Sequence, residues 1–369
     1  PTPIVVGQGE SVTVDLTQMV DDPDDQAKNS FSYAVVKAPG GVDVSLDGYN
    51  LTVSGKKEQP KGPVGAITVS VDDGSGAVNA DIPVTIVKSS KPLVTTTDAR
   101  IKVNAGQTAT VNLSEYTTNP FPDPLVVLDA SVHVGQGTAS GNGNILSVTP
   151  KAGFHGNMTI VYRVMDATND PDRVVQGRVV VQVVDRPEPP QNVSVTPMGA
   201  GTAFVRFDSG ASNGGQITGY TITDKYDGKT YPTRDPGTQI TGLVNGEMHS
   251  FTVVAHNEAG DSDPSAASAE QRIDAAPDQM AAPTVVGSDG ALTVSWKEPH
   301  NAGSRILSYT VLVASENGGQ PVAYSASDSQ LSMTIPGLKN GTMYSVQVQA
   351  LNKADTPSPP SSRTEGYPH

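Results

Sequence analysis

The sequence predicts an all-β fold made of four β-sandwich domains in tandem. Glycine and proline contribute 37 and 29 of the 369 residues, as expected for many short strands joined by turns. The apolar segments are short and rich in Val, Thr and Ile, and none keeps the spacing of a long amphipathic helix. The stretch Gly242-Leu243-Val244-Asn245-Gly246 returns 95 positions later as Gly337-Leu338-Lys339-Asn340-Gly341. The chain therefore contains at least one duplicated module.

The composition excludes several classes of protein. The formal net charge of −14 is spread along the chain, which argues against nucleic acid or an anionic membrane as a partner. There are no cysteines, which favours a bacterial cell surface, with an intracellular origin as the alternative. We find no signal peptide or membrane span, and a start without Met predicts a piece of a longer chain.

The first predicted domain covers residues 1–88. Val12, Val14 and Leu16 alternate with polar residues, as in a half-buried strand. The dipeptide Asp47-Gly48 predicts a tight hairpin, because both residue types tolerate a positive φ. Further strands are predicted at residues 31–36, 42–46, 49–54, 66–72 and 80–87.

The second predicted domain covers residues 91–186, after the linker Ser89-Ser90-Lys91-Pro92. Thr110-Val111-Asn112-Leu113 repeats Thr13-Val14-Asp15-Leu16 at an offset of 97, and residues 160–166 repeat residues 67–73 at an offset of 93. The two domains are therefore predicted to be divergent copies of one module.

A family resemblance appears in this second domain. The run Thr149-Pro150-Lys151-Ala152-Gly153-Phe154-His155-Gly156, followed by residues 158–164 and Asp166, resembles bacterial Ig-like and cadherin-like repeats. Such repeats stand in tandem on cell-surface proteins, here of the actinobacterial type. The resemblance implies that Gly153 and Gly156 permit a tight approach before the central strand, with Phe154 buried as a plug. Residues 1–88 lack the Gly-Phe-x-Gly element.

The third and fourth predicted domains, residues 187–275 and 278–369, carry the duplicated stretch. They follow the proline-rich boundary Arg186-Pro187-Glu188-Pro189-Pro190 and are joined by a very short linker, residues 274–277. Residues 203–207 match residues 292–296 at an offset of 89. The rise of the offset to 95 predicts a six-residue insertion in the second copy, after its third strand.

This pair resembles fibronectin type III domains. The resemblance rests on Trp296, Tyr309, the Gly-Leu turn at Leu338, and Tyr344, which takes the tyrosine-corner position. In the first copy the matching residues are Phe207, Tyr220, Leu243 and His249. Phe207 is smaller than the usual Trp, and His249 is expected to replace the corner hydrogen bond only in part. We therefore expect residues 187–275 to be the less stable copy.

A calcium site is the one cofactor hypothesis that the sequence raises. Hard cations take six to eight oxygen ligands, and an acidic turn followed by a second acidic pair could supply them. The candidate ligands are Asp21, Asp22, Asp24, Asp25, Asp72 and Asp73. The loop lacks EF-hand spacing, so we favour a solvated acidic turn and predict no cofactor.

No catalytic site is predicted. The six histidines include no pair at the spacing of a zinc site, and neither a Gly-x-Ser-x-Gly elbow nor a phosphate-binding loop occurs. We therefore predict that the chain is not an enzyme.

The predicted binding residues lie in loops at the ends of the last two sandwiches, where this architecture usually binds its partners. The alternative is that these loops are only turns. The candidates are Asn213, Gly214, Gln216, Glu258, Asp261, His300, Asn301, Arg305, Lys353 and Asp355.

The predicted function is that of a non-catalytic stalk and binding region on a bacterial surface or cell wall. The partner would be an extracellular protein, either a host matrix protein or a cytokine-like one, or a glycan, bound by a monomeric chain. Two alternatives remain: an accessory module of a secreted polysaccharide-degrading enzyme, and the sensor ectodomain of a membrane kinase. Flanking sequence would separate the three hypotheses.

Overall fold

A computed structural model describes residues 1–21 and 27–369, and within them the all-β prediction is confirmed. The only helical segments in these two ranges are four short 3-10 turns, Leu16–Met19, Lys28–Ser30, Leu113–Glu115 and Pro171–Arg173. The chain divides into two compact units, residues 1–185 and 186–369. None of the helical segments in the described ranges is long and apolar enough to cross a membrane.

The first domain is a sandwich of a four-stranded and a three-stranded sheet, in the orders β1-β7-β6-β3 and β2-β5-β4. Alternate residues of β5 and β6, such as Leu51, Val53 and Ile67, are fully buried between the sheets, as the period of a strand requires. The strands are β1 Ile4–Gly7, β2 Ser11–Asp15, β3 Ser32–Lys37, β4 Val42–Asp47, β5 Asn50–Gly55, β6 Gly62–Asp72 and β7 Ala77–Val87.

The second domain repeats this order, with sheets β12-β15-β16-β9 and β10-β14-β13 and a small third sheet of β11 and β8. Its core contains Leu146, Ile160 and Tyr162, all fully buried. The strands are β8 Thr95–Thr96, β9 Ala99–Asn104, β10 Ala109–Asn112, β11 Thr117–Thr118, β12 Val126–Val134, β13 Gly137–Asn142, β14 Ile145–Pro150, β15 Gly156–Met165 and β16 Val175–Val184.

The repeated tetrapeptide has the same local structure in both copies. Asp15 accepts a hydrogen bond from the Thr17 amide (2.9 Å), and Asn112 accepts one from the Ser114 amide (3.1 Å). Each side chain caps the short 3-10 turn that follows its strand. The match at an offset of 97 therefore reflects a shared turn.

The prediction for Phe154 and its two glycines is wrong in detail. Phe154 is half-buried at the edge of the core. A Cβ added at Gly153 or Gly156 would meet no heavy atom within 4 Å, and their φ angles are +85° and +117°. These glycines are needed for left-handed backbone angles, not for a close approach.

The linker between these two domains is fastened to both of them. Glu10 Oε1 accepts hydrogen bonds from the Ser90 amide (2.6 Å) and the Ser89 hydroxyl (3.1 Å). The buried Arg173 guanidinium donates to the carbonyls of Lys91 and Pro92, both at 2.9 Å. Partial burial acts to raise the pKa of Glu10, but the bonds from Ser90 and Ser89 outweigh it and lower the pKa.

The third domain has sheets β17-β18-β21 and β20-β19-β23-β24, with a short pair β22-β25. Phe207, Ile222 and Val253 lie in its core. The strands are β17 Gln191–Pro197, β18 Ala203–Asp208, β19 Gly219–Asp224, β20 Thr230–Thr233, β21 Gly237–Ile240, β22 Glu247–His249, β23 Phe251–Asn257, β24 Gly260–Asp261 and β25 Gln271–Ile273.

The fourth domain has the same two-sheet arrangement, with orders β26-β27-β30 and β29-β28-β31-β32. Four residues of the predicted six-residue insertion lie in the β28–β29 hairpin, where Tyr309 pairs with Ala326 whereas the matching Tyr220 pairs with Thr233. The strands are β26 Thr284–Ser288, β27 Ala291–Ser295, β28 Ser308–Ser315, β29 Val322–Ser327, β30 Ser332–Ile335, β31 Tyr344–Leu351 and β32 Thr364–Gly366.

Candidate functional site

Two predicted binding loops of the third domain lie side by side. Asn257, which sequence reasoning missed, joins them: its side-chain amide donates to the Ser212 carbonyl (3.0 Å), and its Oδ1 accepts from the Ala259 amide (2.8 Å). Asn213 has a φ of +54° and donates through Nδ2 to the Arg186 carbonyl (2.7 Å). The loops are thus held by their own framework.

Three of the candidates on these loops, Gly214, Gln216 and Glu258, are exposed. The carboxylate of Asp261, also exposed, lies 2.6 Å from His256 Nδ1. The structure therefore brings the candidates of this domain to one end of the sandwich.

The loops of the fourth domain are instead engaged with the third domain and the linker. Lys353 Nζ donates to Glu247 Oε1 (2.9 Å), and Asp355 lies 3.8 Å from Arg272. The linker residue Asp274 accepts from the Ser304 amide (2.7 Å) and hydroxyl (2.5 Å).

The other candidates of the fourth domain bond locally. His300 Nδ1 lies 3.0 Å from Asp278 Oδ2, and Arg305 donates to Asp328 (2.6 Å). Asn301 donates to the Ser304 carbonyl (2.6 Å). The two sets of predicted loops thus differ: those of the third domain face outward, whereas Lys353 and Asp355 help to form the junction.

Of the six candidate calcium ligands the structure describes Asp21, Asp72 and Asp73, and Asp21 and Asp73 line the same pocket. Asp22, Asp24 and Asp25 lie outside the described residues. Asp72 accepts from the Gly74 amide (2.8 Å), and Asp73 accepts from the Ser75 hydroxyl and amide, which lower its pKa. Within residues 1–21 and 27–369, Asp21 included, no group of three or more potential ligands could hold a metal.

The aromatic residues at the family positions pack in pairs in both domains. Phe207 and Tyr220 pack edge to face with ring centroids 4.8 Å apart, and Trp296 and Tyr309 pack at 5.6 Å. The Tyr220 hydroxyl donates to Ser209 (2.8 Å). Each pair contributes to the core of its sandwich.

The side chain at the tyrosine-corner position accepts a hydrogen bond in the fourth domain and donates one in the third. The Tyr344 hydroxyl accepts from the Lys339 amide (3.0 Å), beside the half-buried Leu338. His249 is fully buried, like Leu243 at its corner, and its Nε2 lies 2.7 Å from the Val244 carbonyl. A carbonyl can only accept, so Nε2 carries a hydrogen.

His249 has a second partner. Its Nδ1 lies 2.7 Å from Oδ2 of Asp224, which is also fully buried. Both ring nitrogens of His249 are therefore bonded, one to the corner carbonyl and one to Asp224.

The last edge segment of the third and of the fourth sandwich carries a serine ladder that sequence reasoning missed. Ser262, Ser265 and Ser268 donate their amides to the carbonyls of alternate β23 residues at 2.8–2.9 Å. Their hydroxyls accept from the amides of the same residues at 2.8–2.9 Å. Ser358 and Ser361 do the same on β31. The signal in the sequence was a serine at every third position.

Three polar side chains on the outer face of the third domain form a relay. Thr221 Oγ1 lies 2.7 Å from His256 Nε2, and His256 Nδ1 lies 2.6 Å from Asp261. The order resembles nucleophile, base and orienting acid. However, Thr221 lies on a central strand, paired with β20 on one side and β23 on the other. Its amides therefore serve the sheet rather than an oxyanion hole, and the relay suits binding rather than acyl transfer.

Comparisons with known families assign three of the four domains. Residues 188–271 and 275–365 match the model of the Fibronectin type III domain, and residues 89–179 match that of the Bacterial Ig domain. The chain is 28% identical over 199 residues to myosin-binding protein C, fast-type, from Gallus gallus. That match covers 50% of this chain and 17% of the relative.

Solved structures with similar segments were also found. A two-domain fibronectin type III segment from chicken tenascin aligns with a TM-score of 0.37 and 19% identity, covering 49% of this chain and 99% of the other. Domains A168-A170 from titin align with a TM-score of 0.37 and 14% identity, covering 73% and 95%.

Both kinds of matched domain are typically non-catalytic structural or binding modules. The first domain shares the strand order of the second, with β1 parallel to β7 as β9 is to β16. The chain is therefore a tandem array of Ig-like sandwiches in which a Bacterial Ig domain is followed by two fibronectin type III domains.

Proposed function

We propose that this chain is an extracellular, non-catalytic stalk and binding region of a bacterial surface protein. Its fibronectin type III domains would contact a host extracellular protein or a glycan through loops or sheet faces. The observation that carries the proposal is the pair of third-domain loops assembled by Asn257, which present Gly214, Gln216 and Glu258 outward. Loops held in this way lose little freedom on binding.

The proposed location rests on domain type and composition. Residues 89–179 match a family described as bacterial Ig, and both domain types are common in extracellular proteins. The absence of cysteine fits a bacterial exported chain. The acidic charge favours solubility in tandem modules.

The test is a binding screen of the immobilised full chain against matrix proteins, cytokine-type proteins and glycans. For any ligand found, we compare Gln216→Ala and Glu258→Ala with the control Gln320→Ala, an exposed change in the fourth domain. We expect the loop variants to weaken binding by about tenfold or more, as for contacts central to an interface, and the control to bind normally. Binding retained in full by residues 1–186 alone would overturn the assignment to the third domain.

A further inference from the structure

A shallow pocket, open to solvent and with more apolar than polar lining surface, lies on the outer face of the third domain, beside strands β19, β20 and β23. Its volume is about 480 Å³. Among the residues that line it are Thr218, Thr221, Pro232, Thr233, Arg234 and His256.

The relay sets the hydrogen-bonding character of this pocket. Asp261 accepts from His256 Nδ1, so the neutral ring accepts the Thr221 hydroxyl hydrogen at Nε2. The remaining lone pairs of Thr221 Oγ1 can then accept a hydrogen bond from a ligand hydroxyl group.

Arg234 supplies positive charge on the same rim. Its side chain is exposed, and across residues 1–21 and 27–369 no carboxylate lies within ion-pair distance of it. In a chain with a net charge of −14, a guanidinium left without an acidic partner is available for an anion. Its planar fork suits a carboxylate, which it binds through two parallel hydrogen bonds.

We propose that this pocket binds a carboxylated sugar, such as a uronic acid unit of an acidic glycan. The carboxylate would pair with Arg234, a ring hydroxyl would donate to Thr221, and an apolar face of the sugar would rest on Pro232. A ligand with both hydroxyl donors and a planar anion satisfies all three features, which sulfate does not. The inference rests on the proposed binding function and names a ligand class and a site for it.

The fourth domain is an internal control for this site. The positions that match Thr221 and His256 are Thr310 and Leu351. Leucine cannot form the relay, and the neighbouring Gln349 donates to the Ser358 carbonyl (3.1 Å). We therefore place the site on the third domain alone.

The experiment is an NMR titration of the full chain with tetragalacturonic acid, its methyl ester, glucose and inorganic phosphate. We expect saturable shifts at Thr221 and His256 with the acid, and binding weaker by about tenfold or more with the ester. Arg234→Gln and His256→Leu should weaken binding by about tenfold and about fivefold. The control Arg363→Gln changes an exposed arginine of the fourth domain and should bind normally.

Several outcomes would overturn the inference. These are no saturable binding of the acid, unchanged binding by Arg234→Gln, equal binding of glucose, or inorganic phosphate that competes as well as the acid. The loop variants Gln216→Ala and Glu258→Ala separate the two proposals, because they should leave sugar binding intact. If the sugar fails to bind while loop-dependent binding of another partner persists, the proposed function stands and this site does not.

Discussion

The two fibronectin type III domains fill equivalent corner positions with different chemistry. In the fourth domain, Tyr344 bonds one amide, and Val313 stands at the position that matches Asp224. In the third domain, the matching positions are His249 and Asp224, which bond to each other at 2.7 Å. An imidazole has two nitrogens to satisfy when buried, so the change from Tyr to His requires a second polar partner. The two residues have to be understood as one unit.

The aromatic pairs of the two domains also differ in size and in hydrogen bonding. Phe207 is smaller than Trp296, but Tyr220 bonds Ser209 and the rings pack at 4.8 Å. Trp296 fills more volume, and its buried Nε1 has no partner within the described residues. A buried N–H without a partner carries a desolvation cost of about 1–3 kcal/mol. The lower stability that we predict for the third domain is therefore open to a direct test.

The largest effect is expected from breaking the buried pair. His249→Phe leaves the Asp224 carboxylate buried with only the Tyr226 amide (3.0 Å) as a donor in the described structure. We expect the third domain to lose about 3–5 kcal/mol of unfolding free energy. Tyr344→Phe removes one bond at an exposed amide and should cost the fourth domain about 1 kcal/mol.

Denaturant unfolding measures both losses. The fluorescence of Trp296, the single tryptophan, reports the fourth domain, and hydrogen exchange reports the third. The double variant His249→Tyr with Asp224→Val copies the fourth domain and should recover part of the loss. Equal losses for the two single variants would remove the distinction between the corners.

The next effect concerns the serine ladders. Ser265→Ala and Ser361→Ala each leave a buried amide, of Val253 or Val348, without its hydroxyl acceptor, at a cost of about 1–3 kcal/mol. The fourth domain has an additional clamp, since Gln347 donates to the Ser361 carbonyl (2.9 Å). Hydrogen exchange of the Val253 amide should therefore accelerate more in Ser265→Ala than exchange of the Val348 amide does in Ser361→Ala. The exposed Ser362→Ala is the control.

A comparable effect is expected at the linker. Asp274→Ala removes the acceptor for the Ser304 amide and hydroxyl, which should cost about 1.5–3 kcal/mol if the bonds act as charge-assisted ones. The change should loosen the loop around Ser304 and leave the third-domain loops ordered. Hydrogen exchange of both loop sets measures this difference, and equal loosening would contradict it.

The smallest effect is expected for Lys353→Met, which removes the ion pair with Glu247. Both side chains are more than a third exposed, so the pair should contribute about 0.2–1 kcal/mol or less. Raising the salt concentration should reduce even this difference. A loss above about 2 kcal/mol would mean that Lys353 acts through packing rather than charge.

Much of the fold could be predicted from local patterns. Alternation located β2, β4 and β5, and the Asp47-Gly48 signal located the turn between the last two. The first strand, Ile4–Gly7, was missed because it pairs in parallel with Ile86 and its neighbours, far along the chain. Parallel pairing leaves no turn signal in the sequence.

The candidate site was less accessible to sequence reasoning. The loop positions of Asn213 and Glu258 followed from the strand pattern. The engagement of Lys353 with Glu247 did not, because the two residues belong to different domains. The relay from Thr221 to Asp261 spans three strands, and only the register of the sheet brings its members together.

The serine ladder has a consequence for the array as a whole. Successive serines are three residues apart along the ladder segment but bond residues two apart on β23, a distance of about 6.8 Å at ~3.4 Å per residue. The amides and carbonyls of the segment are therefore not spaced as they are in a strand. Pro264, Pro357, Pro359 and Pro360 also lie exposed on these segments and lack an amide hydrogen. Neighbouring copies in a tandem array meet at high local concentration, where an open sheet edge invites aggregation. An edge with the wrong spacing gives a second chain no template on which to add a strand.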